Sequence, residues 1–331
     1  MRIGVAGSVG KDHLMTFEGK FKDSIVDGAL TSVSLSFLVD SLEIRRGGCA
    51  ANISFGMGAL GLTPILIAAV GKDWPDYDTW LKDHGVDTSH VQVSKELYTA
   101  TFMVTTDLEH NQIASFFPGA MSEAREIELL PIVEKVGSLD LLIISPDDPE
   151  AMVQYSQTAR ESKIAFAADP SQQLARMNGP EIKQLIQGAK YLFLNEYELA
   201  LTLQKTGWTD EELFNEVQVR ITTLGAKGAR IEEHDKETVN VGVPKELSKI
   251  DPTGVGDNFR SGFLAGLSWG MSHERCAQIG SLLATYCLEN KGTQEYKFTK
   301  DEFMSRFIEA YGQAAGADIQ PHLHSRVESK S

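Results

Sequence analysis

Very little in this chain points to a membrane, a disulfide framework or a nucleic acid. Only three cysteines, Cys49, Cys276 and Cys287, stand among 331 residues. An odd number without metal spacing excludes a cysteine-built metal site and implies reduced, buried thiols of a cytosolic protein. No apolar run reaches the roughly 20 residues that a membrane-spanning helix needs. The opening MRIGVAGSVG is too short and too glycine-rich for a signal peptide. These features predict a soluble, cytoplasmic protein without a membrane partner. Positive charge is also scarce, with 31 Lys and Arg against 46 Asp and Glu and a formal net charge of −15. With no basic run, a nucleic-acid surface is excluded. Phosphates would have to be held locally, by backbone amides and a few placed cations. The P-loop pattern GxxxxGK[ST] is missing too, so any phosphoryl transfer here is of another kind. His322 and His324 lie in the polar tail PHLHSRVESKS, which is expected to fray rather than to bind metal.

What is present is alternation of strands and helices, the pattern of a mostly parallel sheet with helices on both faces. Short apolar runs predict buried strands at Ile3–Ala6, Pro64–Val70, Leu141–Ser145, Ile164–Ala168, Tyr191–Leu194 and Val219–Thr223. Helical patterning falls on Cys49–Leu60, Pro149–Ser162, Gly179–Gly188, Asn195–Lys205, Asp210–Gln218, Asn258–Met271, His273–Glu289 and Thr299–Ala314. Residues 13–46, with the alternating Leu30–Val39, and residues 90–118, with Tyr98–Thr105 and Gln112–Phe116, break the pattern. They predict a small antiparallel flap over the sheet edge, discontinuous in sequence and suited to act as a lid. No linker divides the chain, so residues 1–331 are expected to form one α/β domain. In an open sheet of this kind ligands sit at the C-terminal strand ends, which brings Asp169, Asn195 and Thr223 together.

The most informative string is Asp251-Pro-Thr-Gly-Val-Gly-Asp257, followed by NFRSGFLAGLSWGM. Phe259, Phe263, Leu264 and Leu267 recur at helical spacing, which predicts a helix beginning near Asp257. Its first turn leaves N–H groups without partners, at the positive end of the helix dipole. Gly254 and Gly256 remove the side chains that would keep an anion away. The result is an anion hole with a carboxylate at its mouth. There Asp257 is expected to stay ionised and to accept the proton of an attacking hydroxyl. A simpler reading makes Asp257 the helix N-cap.

Other strings carry two readings each. Gly47-Gly48 before Asn52 suits close approach of a ligand, or simply entry into a helix. Asn195-Glu-Tyr-Glu198 places an amide and a carboxylate at the crevice for phosphate and magnesium water, and is equally a capping box. Gln172 and Gln173 offer uncharged donors and acceptors to a heterocycle edge, and Arg176 offers a charge for phosphate or for solvent. Phe102, Phe116 and Phe117 on the flap suit stacking on a planar base, or packing of the flap itself. Gly56-Met-Gly58-Ala-Leu-Gly61 sits late in a helix rather than after a strand, so close helix packing is favoured over dinucleotide binding. An NAD-dependent oxidoreductase is the weaker alternative.

With SLSFLVD (34–40), RRGGCAAN (45–52), SFFPGAMSEAR (115–125), FAADPSQQLAR (166–176) and DPTGVGD (251–257) side by side, the chain resembles the ribokinase-like (PfkB) small-molecule kinase superfamily. Within it the likeness is to the actinobacterial type of adenosine kinase, and it runs from about residue 1 to residue 315. Pro252 and Val255 replace the Thr and Ala of the commonest superfamily signature. The resemblance implies a three-layer α/β/α fold and transfer of the ATP γ-phosphoryl group, with Mg2+, to the 5′-hydroxyl of adenosine. It makes Asp257 the general base and Gly254 and Gly256 the anion hole, with Arg176 facing phosphate. Ser8, Asp12, Ser36, Gly48 and Asn52 match nucleoside-binding positions, with Asp12 on the ribose hydroxyls. Phe102 and Phe116 match the stacking rings, and Gln172 and Gln173 match the adenine-facing pair. Asn195, Thr223, Gly225 and Gly256 match ATP contacts, and Glu198 belongs to a magnesium-associated motif. A potassium ion near Asp251, Thr253, Asn290 and Gly292 and a homodimer through the lid strands are further expectations carried by the resemblance. A sugar kinase of the same fold, which has less need of the rings and the paired glutamines, is the nearest competitor. A regulator that binds nucleotide without turning it over is the other.

Overall fold

The computed structural model describes residues 1–24 and 36–323. Its main sheet has eight strands, in the order Val239–Val241, Ala229–Glu233, Val219–Thr223, Tyr191–Asn195, Phe166–Ala168, Leu141–Ile144, Ile3–Ala6 and Ile65–Ile67. From Val219–Thr223 to Ile65–Ile67 every neighbour is parallel. These strands are apolar on both faces because helices cover both. Tyr191, Phe193 and Ile221 pack into the layer containing the helices Cys49–Ala59, Val255–Ser268 and His273–Leu288, while Leu192, Leu194 and Ile144 pack into the opposite layer with Pro149–Glu161 and Gly179–Ile186. The fold is ribokinase-like α/β, as expected. Two edge strands escaped the sequence reading: Ala229–Glu233 and Val239–Val241 extend the sheet antiparallel. The expected strand Pro64–Val70 divides into Ile65–Ile67 and Ala69–Val70, the second pairing with Gln92–Val93 in a separate ribbon. The helices Pro75–Asp83 and Leu129–Val136 were also unanticipated.

A second sheet runs Ser41–Gly47, Gly10–Thr16, Ala100–Thr106 and Gln112–Phe117. It differs from the expected all-antiparallel flap in its central pair, Gly10–Thr16 with Ala100–Thr106, which is parallel. The long stretch of chain between those two strands makes that pairing possible. The sheet also begins earlier, at Gly10. Most of Leu30–Val39 lies outside the described residues, and 36–39 carry no strand.

Glycines let the helices approach closely. A Cβ on Gly56 would stand 2.5 Å from Ser261 Oγ, and one on Gly58 only 1.9 Å from the His84 carbonyl oxygen, so this motif packs helices as anticipated. The three cysteines are free and buried. At the end of the described chain, Leu323 is fully buried and the His322 ring stacks on Trp269, which corrects the expectation of fraying there; His324 lies outside the described residues. No described helix is long and apolar enough to cross a membrane.

Candidate active site

A cavity of about 530 Å³ opens between the C-terminal strand ends of the main sheet and one face of the small sheet. Its floor is the N-terminus of the helix Val255–Ser268. Contrary to the sequence expectation, the helix starts two residues before Asp257, and its N-cap is Gly254 in the left-handed region at φ 73°. A Cβ there would press on Thr293 Cγ2 at 2.6 Å, so glycine serves both the turn and the packing. Asp257 is therefore not the cap but a residue of the first turn. Val255 N–H bonds to Pro252 O and Asn258 N–H to Gly254 O. Between them, the N–H groups of Gly256 and Asp257 take no backbone partner among the described residues. Two free donors at a positive helix end form a place for an anion.

Asp257 itself is held firmly. Asn52 Nδ2 donates to its Oδ2 at 2.8 Å. Burial pushes its pKa up from the ordinary aspartate range, against the lowering effects of Arg260, Asn52 and Cys49. The positive helix end, which favours the carboxylate, acts in the same lowering sense as those three groups. One turn on, Arg260 Nη2 donates to Asp169 Oδ1 at 2.6 Å, and its Nε lies 2.5 Å from Oδ2. Burial opposes the guanidinium charge, but the carboxylates of Asp169, Glu198 and Asp257 outweigh it and keep Arg260 protonated. Sequence reasoning missed Arg260. Its only signal was a cation in the middle of the apolar run NFRSGF.

The opposite wall comes from the small sheet. Asp12, Phe102 and Phe116 are cross-strand neighbours, so all three share one face, and all line the cavity. Burial, with the nearby charge of Asp251, raises the Asp12 pKa to about 6. Phe102 and Phe116 remain 37% and 50% exposed. Gln172 and Gln173 face the cavity from the turn after Phe166–Ala168, and Gln173 Oε1 is buried without a hydrogen-bond partner among the described residues. Gln172 Nε2 reaches Cys49 Sγ at 3.3 Å. Cys49, expected to be a reduced, buried thiol, is buried and also lines the site, and burial raises its pKa well above the ordinary value. Ser8 Oγ accepts from Cys49 N–H at 3.1 Å and so serves the helix that Gly48 begins. Gly48 has φ 93°, and a Cβ would meet Gly10 N at 2.5 Å, so it is needed for helix entry as well as for an open cavity.

At the third side, Asn195 and Glu198 form the capping box: Asn195 Oδ1 accepts from Glu198 N–H and Glu198 Oε2 from Asn195 N–H, both at 2.8 Å. Both residues also line the cavity, as does Thr223, so the two readings of this motif coexist. Glu198 Oε1 accepts a hydrogen bond only from Ser171 Oγ among the described residues, at 3.3 Å. Arg176 lines the same cavity, exposed and without an ion pair among the described residues.

Three expected residues are not brought to this cavity. Ser36 is exposed away from its lining, and Gly225 begins a short 3-10 turn beyond it. Asp251 accepts Thr253 N–H and Gly292 N–H on its two carboxylate oxygens. Asn290 turns its Nδ2 to Tyr286 O.

The description of pfkB family carbohydrate kinases matches residues 21–300. The chain belongs to that family. It is 29% identical, over 273 residues, to the nucleoside kinase of Methanocaldococcus jannaschii, spanning 82% of this pfkB-family chain and 88% of that one. Among solved structures, the Burkholderia thailandensis nucleoside kinase in complex with inosine superposes with a TM-score of 0.81 at 33% identity, over 94% of this chain and 98% of that one. The M. jannaschii enzyme superposes with a TM-score of 0.81 at 26% identity, over 93% and 98% of the two chains. Family membership makes the protein an ATP-dependent phosphotransferase and sets aside the oxidoreductase reading.

Proposed function

We propose that the protein is a nucleoside kinase that transfers the ATP γ-phosphoryl group to the 5′-hydroxyl of adenosine, giving AMP and ADP in purine salvage. The observation that carries this reading is the placement of Asp257 beside two unpartnered N–H groups, across one cavity from two exposed rings and an unpartnered amide oxygen. In this reading the base stacks against Phe102 and Phe116, and Gln173 Oε1 accepts the exocyclic amine. Asp12 orients the ribose hydroxyls with Ser8 and Gly48 close by. Asp257 accepts the 5′-hydroxyl proton as the phosphorus–oxygen bond forms, and the donors at Gly256 and Asp257 hold the charge gathering on the phosphoryl oxygens. Arg176 faces those oxygens, and Asn195 and Thr223 face the donor nucleotide, with Gly225 behind them. The small sheet acts as a lid that excludes water from the transfer.

The cavity offers oxygen donors for a hard cation, and Glu198 with one lightly engaged carboxylate oxygen fits Mg2+ held through water. Bound with ATP, the ion would neutralise charge on the phosphates. Ser36 lies outside the cavity, and a potassium ion near Asp251 remains a proposal carried by the resemblance alone.

A second reading, phosphorylation of another nucleoside, is favoured by the relative that holds inosine. Measuring kcat/KM for adenosine, inosine, guanosine, cytidine and ribose with ATP and Mg2+ decides between them. Adenosine is expected to lead, and a clear preference for ribose would overturn the nucleoside assignment. We also propose a homodimer through the outer face of the small sheet. Leu42, Ile44, Ile113 and Phe117 are exposed there, and light scattering that returned a monomer would refute it.

A further inference from the structure

Asn52 was expected to touch the nucleoside, yet both ends of its amide are already engaged. Nδ2 lies on Asp257 Oδ2. Oδ1 accepts from Gln294 Nε2 at 2.9 Å, and lies 2.8 Å from Thr293 Oγ1, whose single proton Arg46 O also competes for at 3.0 Å. Asn52, Thr293 and Gln294 are each at most 3% exposed. An amide can sit in such a slot either way round, so its neighbours must decide which end meets the carboxylate. The Gln294 amide N–H on Oδ1 decides it, since the Thr293 hydroxyl can either donate or accept. Gln294 has the same ambiguity, and Trp80 resolves it: the indole Nε1–H, which can only donate, bonds to Gln294 Oε1 at 3.0 Å. The Nε2 of Gln294 is thereby turned to Asn52 and to Tyr77 Oη, and the Tyr77 hydroxyl donates to Gly47 O at 2.9 Å.

We infer that Trp80 and Gln294 are positioning residues for Asp257: a one-way chain of donors, Trp80 to Gln294 to Asn52 to Asp257, keeps the amide N–H of Asn52 on the base. This rests on the reading of Asp257 as the general base. Its far end reaches the small sheet. The Arg46 guanidinium covers the Trp80 ring at 4.1 Å, and Thr293 Oγ1 lies 3.0 Å from Arg46 O. Without the indole donor Gln294 can reverse, Asn52 can follow, and a carbonyl oxygen would then face the carboxylate and disfavour its ionised form.

The test uses Trp80→Phe, which keeps a ring and removes only the donor, alone and combined with Asn52→Ala. Two quantities are read: the pH dependence of kcat/KM, and the Asp257 carboxylate titration by 13C NMR with Asp257→Asn for assignment. The other ionisable groups facing Asp257 are Arg260 on its own helix, Glu198, Asp169, Cys49 and Cys287. These groups stay in every arm, as does His84 against the Trp80 ring. In Trp80→Phe both titrations are expected to move to higher pH by roughly half a unit to one unit, with the nucleoside Kd unchanged. In the Asn52→Ala background the same substitution is expected to move neither. Gln294→Leu should reproduce the Trp80→Phe shift if the aromatic variant folds poorly. An unmoved NMR titration in Trp80→Phe and Gln294→Leu, or an equal shift without Asn52, overturns the relay. Because the NMR titration needs no turnover, a wild-type protein inactive on every nucleoside would refute the proposed function while still leaving the relay tested.

Discussion

The two walls of the cavity are built to different degrees of completeness. Around Asp257 the side chains are engaged: Asn52 on its carboxylate, Gln294 on Asn52, and Arg260 on Asp169. Across the cavity, Phe102 and Phe116 stand open, Gln173 Oε1 waits without a partner, and Arg176 is exposed. The wall proposed to handle the proton and the phosphoryl charge has its side chains held by one another. The wall that would recognise the acceptor is completed by the ligand itself. Preorganisation of the first supports rate, while adaptability of the second lets related folds take sugars and nucleosides with one reaction centre.

Breaking the finished wall should have the largest effects. Asp257→Asn is expected to lower kcat by about 10²–10⁴ while adenosine still binds in a calorimetric titration. Unchanged turnover would remove the residue from the mechanism. Arg260→Leu leaves Asp169 buried without its partner and should destabilise the fold by about 3–5 kcal/mol, read as a drop in Tm. Substituting the open wall should act on binding instead. Phe116→Ala is expected to weaken adenosine by about tenfold to hundredfold, with little change in Tm. An equal loss for ribose would show that the ring does not stack on a base.

The pH profile sharpens the contrast further. Only the ionised Asp257 can take a proton, and its pKa is raised by burial. Activity should therefore be lost, as pH falls, at higher pH than for an exposed aspartate near 3.9. A limb at or below that value in kcat/KM would contradict the burial argument. The smallest effect belongs to a surface ion pair between the small sheet and the loop after the helix His273–Leu288. Lys291 and Glu43 meet at 2.6 Å with 54% and 38% of their side chains exposed. Lys291→Ala should shift stability by at most about 1 kcal/mol, measured by denaturant titration.

Much of this was legible in the residues because the relevant physics is local. Strands such as YLFL, covered on both faces, carry no competing alternation, and the Gly-x-Gly-Asp string announces a helix end that accepts an anion. Ala229–Glu233 was missed because ARIEE alternates apolar and charged residues as an edge strand does, and nothing nearby separates that from a loop. Arg260 escaped because a cation within a helix ordinarily points to solvent; its buried partner, Asp169, lies 91 residues away. Asn52 was placed in the site, but what its amide touches depends on Thr293 and Gln294, which no local pattern connects to it. The expected all-antiparallel small sheet failed similarly, since strand direction there is decided by the route of the intervening chain.

The bonds from Thr293 and Gln294 to Asn52 span 241 and 242 residues. A ribosome delivers the chain from its N-terminus, so Asn52 emerges long before the two residues that orient it. Until those residues dock, nothing fixes which end of the Asn52 amide turns to Asp257. In a chain still being made, the orientation of that amide is therefore among the last features of this site to be set.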